Sequence, residues 1–222
     1  MLQTDPAIVV EPEGEASASV IWLHGLGADA NDFLPIVAQF DERIRTRTRF
    51  VFPNAPVRSV TINAGYRMRA WYDILEASVQ RRVDEQGMLE SSAYLHTLID
   101  AQIDTGIAPE RVVAAGFSQG GAIALHAGLR HPQRLAGILA LSTYMPLAER
   151  LDEERSAANR GVSIFLGHGS ADPVVGLGLC EQTRQRLKQL DQLVELHTYP
   201  MEHAVCPEEI RDIDNWLERV LN

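Results

Sequence analysis

The sequence predicts an α/β fold built on a mostly parallel β-sheet, and three observations carry that prediction. Short apolar runs recur along the chain, "SVIWLHG", "RFVFPNAP", "RVVAAGFS", "LAGILALS" and "VSIFLGHG", each closing in Gly, Ser or Pro. Strands apolar on both faces belong to a parallel sheet covered by helices. Helical patterns separate several of these runs, and one run, "RVVAAGFS", passes through a glycine-rich turn directly into the all-apolar stretch "GGAIALHAGL". At 222 residues, 45% apolar and 23% charged, the chain reads as one ordinary globular domain spanning residues 1–222, long enough to bury a substantial core.

Each element follows from its local pattern. The run from Ser19 is a buried strand that enters the turn "HGLGADAND". "SAYLHTLIDAQI" places Leu95, Leu98, Ile99 and Gln102 at helical spacing, whereas "GGAIALHAGL" is apolar all round and should be buried. "LVELHTYP" alternates Val194 and Leu196 with Glu195 and His197, which suits a strand near the sheet edge. The last helix, "PEEIRDIDNWLERVL", opens on Pro207 and two acids and sets Ile210, Ile213, Leu217 and Val220 on one face. Residues 54–90 and 144–160 read as irregular, candidates for site walls or a lid.

Charge and cysteine usage narrow the function. A net charge of −10 opposes binding to nucleic acid or to anionic lipid surfaces. The N-terminal stretch has neither a basic region nor a long apolar core, and no later segment matches a bilayer span, so a cytoplasmic protein without stable membrane insertion is expected. Cys180 and Cys206 are too few for a disulfide framework and form no CxxC spacing. No metal-ligand cluster is visible.

The strongest chemical signal is "AAGFSQGGA", a GxSxG motif at Gly116, Ser118 and Gly120 between an apolar strand and an apolar helix. That context holds the serine in a tight, strained turn with its hydroxyl projecting from the sheet, and a Cβ at either glycine would crowd the turn. A serine nucleophile needs a histidine base and an acid that orients it. In this arrangement they follow in the order acid, then histidine, on loops after later strands. Asp172 in "VSIFLGHGSADPVV" and His203 in "LVELHTYPMEHAVCPEE" satisfy that order. Asp73, Asp191 and Asp212 compete as the acid, each in an irregular or helical segment. His197 lies within a strand and His96, His126 and His131 fall in helical segments; His24 and His168 stand at strand ends but precede the acid, which leaves His168 the main rival to His203.

The turn after the first apolar run has two readings. Gly25, Gly27 and Ala30 match the GxGxxA dinucleotide fingerprint, which needs an acidic residue about 20 positions later. The window there is "RIRTRTRF", which is basic. The alternative is an oxyanion hole of the α/β-hydrolase type, made by the backbone N–H groups of Leu26 and of Gln119, the residue after the nucleophile.

With these residues in view, the chain resembles the carboxylesterase/phospholipase group of α/β-hydrolases, which includes acyl-protein thioesterases and bacterial carboxylesterases. The likeness runs from about Val20 to the C-terminus through "HGLGAD", "FPNAP", "WYDI", "GFSQGGA", "ADPVV" and "YPMEHAVCPEE". It implies Ser118, Asp172 and His203 as a triad, Leu26 and Gln119 at the oxyanion hole, and Trp71 near the acyl pocket. It also implies hydrolysis of carboxylic esters, lysophospholipids or thioesters without a metal or cofactor. Two positions depart from the family: Ala204 stands where a serine often follows the histidine, and Gly176 where a proline often follows "DPVV".

The expected function is a serine carboxylesterase working through an acyl-serine intermediate on a small-molecule or lipid-like ester. A thioesterase or lysophospholipase on the same triad is the alternative within enzymes. A catalytically silent binding protein of the same fold is the alternative outside them. Oligomeric state, a homodimer included, stays open.

Overall fold

The computed structural model describes residues 2, 4–76 and 83–222. In chain order the elements are β1 (Ile8–Val10), β2 (Ala18–Leu23), α1 (Glu42–Arg45), β3 (Thr48–Phe52), β4 (Val57–Val60), β5 (Tyr66–Arg69), α2 (Glu85–Asp104), β6 (Val112–Phe117) and α3 (Gln119–Gly128). There follow β7 (Gly137–Leu141), α4 (Leu151–Glu154), β8 (Ser163–Gly169), α5 (Leu177–Gln189), β9 (Leu193–Tyr199) and α6 (Pro207–Val220). Seven strands form one sheet in the order β1-β3-β2-β6-β7-β8-β9. Every pairing is parallel except β1 with β3, so the sheet is of the α/β type that the apolar runs predict.

The two-residue period of the strands divides the core into two layers. Val112, Ala114, Ile138, Ala140, Ile164 and Leu166 pack with Leu95 and Ile99 of α2, Ile123 and Leu125 of α3 and Leu187 of α5. Val113, Ala115, Leu139, Leu141 and Phe165 pack on the other face with Ile44 of α1 and Ile213, Trp216 and Leu217 of α6. Burial of each large side chain contributes about 1.5–3 kcal/mol. The two layers meet through small residues where bulk is excluded. A Cβ on Gly137 would lie 2.6 Å from the Trp216 ring, so the indole of α6 fixes glycine at the start of β7.

All ten residues of α3 are buried, as its uninterrupted apolarity predicts. β9 stands at the sheet edge. Three features escape the sequence pattern. β1 adds a short antiparallel strand, and α5 is mostly polar, burying Cys180, Thr183 and Leu187 at helical spacing. Much of residues 54–76 forms an antiparallel β4–β5 hairpin instead of irregular chain. Its four-residue strands are too short and too charged to show a clear alternation, and its reversal passes through Ala64 and Gly65, both at positive φ. Residues 77–82 of the candidate lid lie outside the described residues. In the second candidate segment, Asn159 is fully buried, and its amide bonds the carbonyls of His131 and Gln133 and the N–H of Leu135. That pins the segment to the loop after α3, where His131 also lies, beyond the helix expected for it. No helix of the described residues is long and apolar enough to cross a membrane.

Candidate active site

Parallel strands all present their carboxyl ends on one side, where loops from several of them converge. Ser118 sits between β6 and α3 with φ +53° and ψ −116°, a backbone conformation that residues with side chains rarely adopt. The surroundings impose it. The Ser118 N–H donates to Leu141 O at 2.8 Å, and Thr143 Oγ1 donates to Ser118 O at 2.7 Å. A Cβ on Gly116 would stand 2.3 Å from the Gly120 carbonyl carbon, and one on Gly120 would stand 2.3 Å from Leu23 O. The first glycine closes the turn; the second lets α3 start against the end of β2.

Asp172 lies in the loop after β8, its carboxylate fully shielded from solvent. Oδ1 accepts the Val174 and Val175 N–H groups at 2.8 and 2.9 Å, and Oδ2 accepts His203 Nδ1–H at 2.7 Å. One oxygen is thus fixed by backbone, leaving the other to orient the imidazole. With the proton on Nδ1, the lone pair is on His203 Nε2. The ring packs against Phe117 at 4.8 Å between centroids. The two loops meet because residue 169 is glycine: a Cβ there would fall 2.2 Å from Glu202 O and 2.4 Å from Met201 O. The Ala171 N–H also donates to Met201 O at 3.1 Å.

Ser118, His203, Leu26 and Gln119 line one cavity of about 290 Å³. Gly25 brings the first loop to Ser118, its would-be Cβ lying 3.6 Å from Ser118 Cβ. The loop itself is held from behind, as Gly27 N–H donates to Arg69 O and Ala28 N–H to Gly25 O. The rest of the wall is mostly apolar, with Tyr72, Ile74, Phe117, Val174 and Val175 prominent in it and Thr143 and Asp32 its polar members.

The rivals to the triad are engaged elsewhere. His168 is fully buried, donates from Nε2 to Val175 O at 2.7 Å and stands 3.5 Å from Asp172 Oδ2, behind the acid. Asp73 accepts the Thr61 N–H, Asp212 accepts the Tyr199 hydroxyl, and Asp191 forms a left-handed turn after α5. His24 donates from Nδ1 to Gly25 O in its own loop and accepts the Ala55 N–H of the loop after β3 at Nε2, and burial holds its pKa below the usual histidine range. Cys180 is buried, which pushes its thiol up to about 12, and Cys206 caps α6 beyond the histidine. Among the described residues no group of three or more His, Cys, Asp or Glu is arranged to hold a metal ion.

Trp71 is the one predicted site residue that the structure sets apart. It is fully buried and does not line the cavity, whose wall is formed there by Tyr72 and Ile74. Its indole Nε1–H donates to His24 O at 2.9 Å and its backbone N–H to Gln119 Oε1 at 2.8 Å. Gln119 Nε2 in turn donates to Tyr72 O at 2.6 Å, so the residue after Ser118 also clamps the wall. No sequence pattern marks Ile74, Thr143 or Val175 as cavity residues, because each follows an element end by a length that only the fold reveals.

Comparisons with known proteins agree with this architecture. A family model described as phospholipase/carboxylesterase matches residues 4–221. An acyl-protein thioesterase 1 of Neurospora crassa is 40% identical over 221 residues, covering 96% of this chain and 90% of its own. The protein of the same name from Mycosarcoma maydis is 38% identical, covering 96% of each. The crystal structure of Arabidopsis thaliana SOBER1 superposes with a TM-score of 0.89 at 31% identity, covering 94% of this chain and 100% of that one. With a seven-stranded hydrolase sheet and a match over nearly its whole length, the chain belongs to the phospholipase/carboxylesterase family of α/β-hydrolases and is a serine hydrolase of acyl esters.

Proposed function

We propose that Ser118, His203 and Asp172 are the catalytic triad of this esterase, with the backbone N–H groups of Leu26 and Gln119 as its oxyanion hole. The observation that carries this reading is the cavity that Ser118 and His203 both line, with His203 Nδ1 tied to a buried Asp172 at 2.7 Å. Ser118 Oγ attacks the acyl carbonyl as His203 Nε2 takes its proton, and the carbonyl oxygen becomes an oxyanion facing Leu26 and Gln119. Collapse expels the leaving group, which takes the proton from His203. Asp172 stabilises the transient imidazolium. Water then repeats the sequence, releasing the carboxylic acid and restoring Ser118.

A second reading is that the scissile bond is a thioester of a lipidated protein. The two fungal relatives named acyl-protein thioesterase support it, and the triad expels a thiolate as readily as an alkoxide. Labelling with a fluorophosphonate and turnover of aryl esters test the mechanism. The Ser118→Ala variant should keep its fold, lose labelling and lose roughly 10⁴- to 10⁶-fold in kcat. Near-normal turnover by that variant would remove Ser118 from the mechanism. Rates on paired oxygen esters and thioesters of one acyl chain then divide the two readings.

A further inference from the structure

Among the described residues lining the cavity, Asp32 is the one that carries a fixed charge. It sits in the turn that also supplies Leu26, which it joins through its backbone N–H to Asp29 O, while its side chain plays no part in holding that turn. Asp29 does so, its Oδ1 accepting the Asn31 N–H at 2.8 Å and the Asn31 amide at 3.1 Å. The Asp32 carboxylate is exposed and makes no hydrogen bond or ion pair among the described residues, in contrast to the nearby Arg69, which is paired with Asp5 and bonds Ala55 O. A carboxylate left free at the mouth of an otherwise uncharged cavity is a field that a substrate must meet.

An acyl chain is uncharged, so a charge in this cavity can discriminate only between leaving groups. We propose that Asp32 sets the leaving-group preference, favouring acyl esters and thioesters whose alcohol or thiol carries an amine or ammonium and disfavouring those with a phosphate or carboxylate close to the scissile bond. This rests on the reading of Ser118 as nucleophile. It ranks the substrate classes that the triad alone leaves equal: a cationic leaving group, such as a thiol flanked by basic side chains, gains attraction at Asp32. The phosphates of a lysophospholipid or acyl-CoA meet repulsion, and no cation among the described lining residues offsets it.

The test uses three thioesters of one acyl chain, with thiocholine, mercaptoethanol and mercaptoacetate as leaving groups, at low ionic strength. The wild-type kcat/KM should fall in that order. Asp32→Asn should reduce the ratio of thiocholine to mercaptoethanol by about three- to tenfold, the range for one charge pair near 6 Å in a partly solvated site. Asp32→Lys should invert the order, and added salt should erode the wild-type preference. Equal ratios in wild type and Asp32→Asn, or the same fractional loss on all three esters, would overturn the proposal. If the wild type cleaves the mercaptoethanol ester and takes a fluorophosphonate yet shows no order, the nucleophile reading stands and the Asp32 proposal alone fails. Absence of both labelling and cleavage overturns the two together.

Discussion

Trp71 illustrates how one side chain can govern a site without touching substrate. Its indole and backbone join three structures: the His24 carbonyl before the Leu26 loop, the Gln119 side chain after Ser118, and Ser91 of α2, whose hydroxyl donates to Trp71 O. Its ring also faces His24 at 5.3 Å and stacks on Tyr94 at 6.4 Å. Trp71→Phe keeps most of the ring but strands the buried His24 carbonyl, at a cost of about 1–3 kcal/mol. The melting temperature should drop by about 2–10 °C for a chain of this size. Turnover should fall evenly across acyl lengths. Ile74→Ala, which alters the cavity wall itself, should instead move the preferred acyl length. A length shift with Trp71→Phe, measured on the same ester series, would return Trp71 to the pocket.

At the scale of elements, α6 ties the histidine loop to the sheet. Its buried face carries Ile213, Trp216 and Leu217, and its first turn carries Glu209, fully buried against β8. A Cβ on Gly167 would lie 2.1 Å from Glu209 Oε1, so the carboxyl occupies the notch that this glycine leaves. Burial pushes Glu209 from an ordinary 4.5 up to about 8, the Asp212 carboxylate adding to it and the Cys206 backbone N–H opposing it. Between those values the folded protein retains a proton that the unfolded chain releases, so this group destabilises the fold progressively as pH rises from 4.5 to 8. Glu209→Gln mimics the protonated form. The variant should nearly match the wild type near pH 5 and exceed its melting temperature by about 10 °C at pH 9. Thermal scans at the two values check this, and an equal offset at both would show that ionisation of Glu209 has no such cost.

For the molecule as a whole, buried histidines oppose acid. His126, between α2 and α3, bonds Ser92 Oγ through Nδ1 at 2.7 Å. Burial, with the Arg130 charge adding to it, lowers its pKa from 6.5 to about 3. His24 and His96 are also lowered, burial again being the main cause. Here the unfolded chain binds protons that the folded protein refuses, so stability is present above 6.5 and is lost as pH falls from 6.5 towards 3. His126 accounts for up to about 1.4 kcal/mol per pH unit in that window. Urea midpoints at pH 7 and pH 4.5 for wild type and His126→Gln should show the variant losing less on acidification. Parallel losses would mean that His126 is protonated in the folded protein.

The sheet was legible because apolar runs on two-residue and helical periods are local consequences of burial, and the elbow was legible because Gly116, Ser118 and Gly120 sit within five residues of chain. Asp172 and His203 could be ordered from the sequence by their position after β8 and β9, a topological rule that needs no distances. What the sequence left open is set by contacts between segments far apart in the chain. The hairpin of β4 and β5 is too short to carry a period. His168 lies at the end of β8 and His203 beyond β9, and only packing buries one behind Asp172 while giving the other the cavity. Trp71 and Tyr72 are adjacent aromatics in one motif, and the Gln119 side chain, 47 residues from Tyr72, bonds the backbone of both where only Tyr72 lines the cavity. Asp29 and Asp32 look alike in "GADANDF", yet one closes the turn and the other is left to face the cavity. Local sequence determines which residues can do chemistry; the tertiary structure decides which of them share a cavity, because that depends on distances closed only when the sheet assembles.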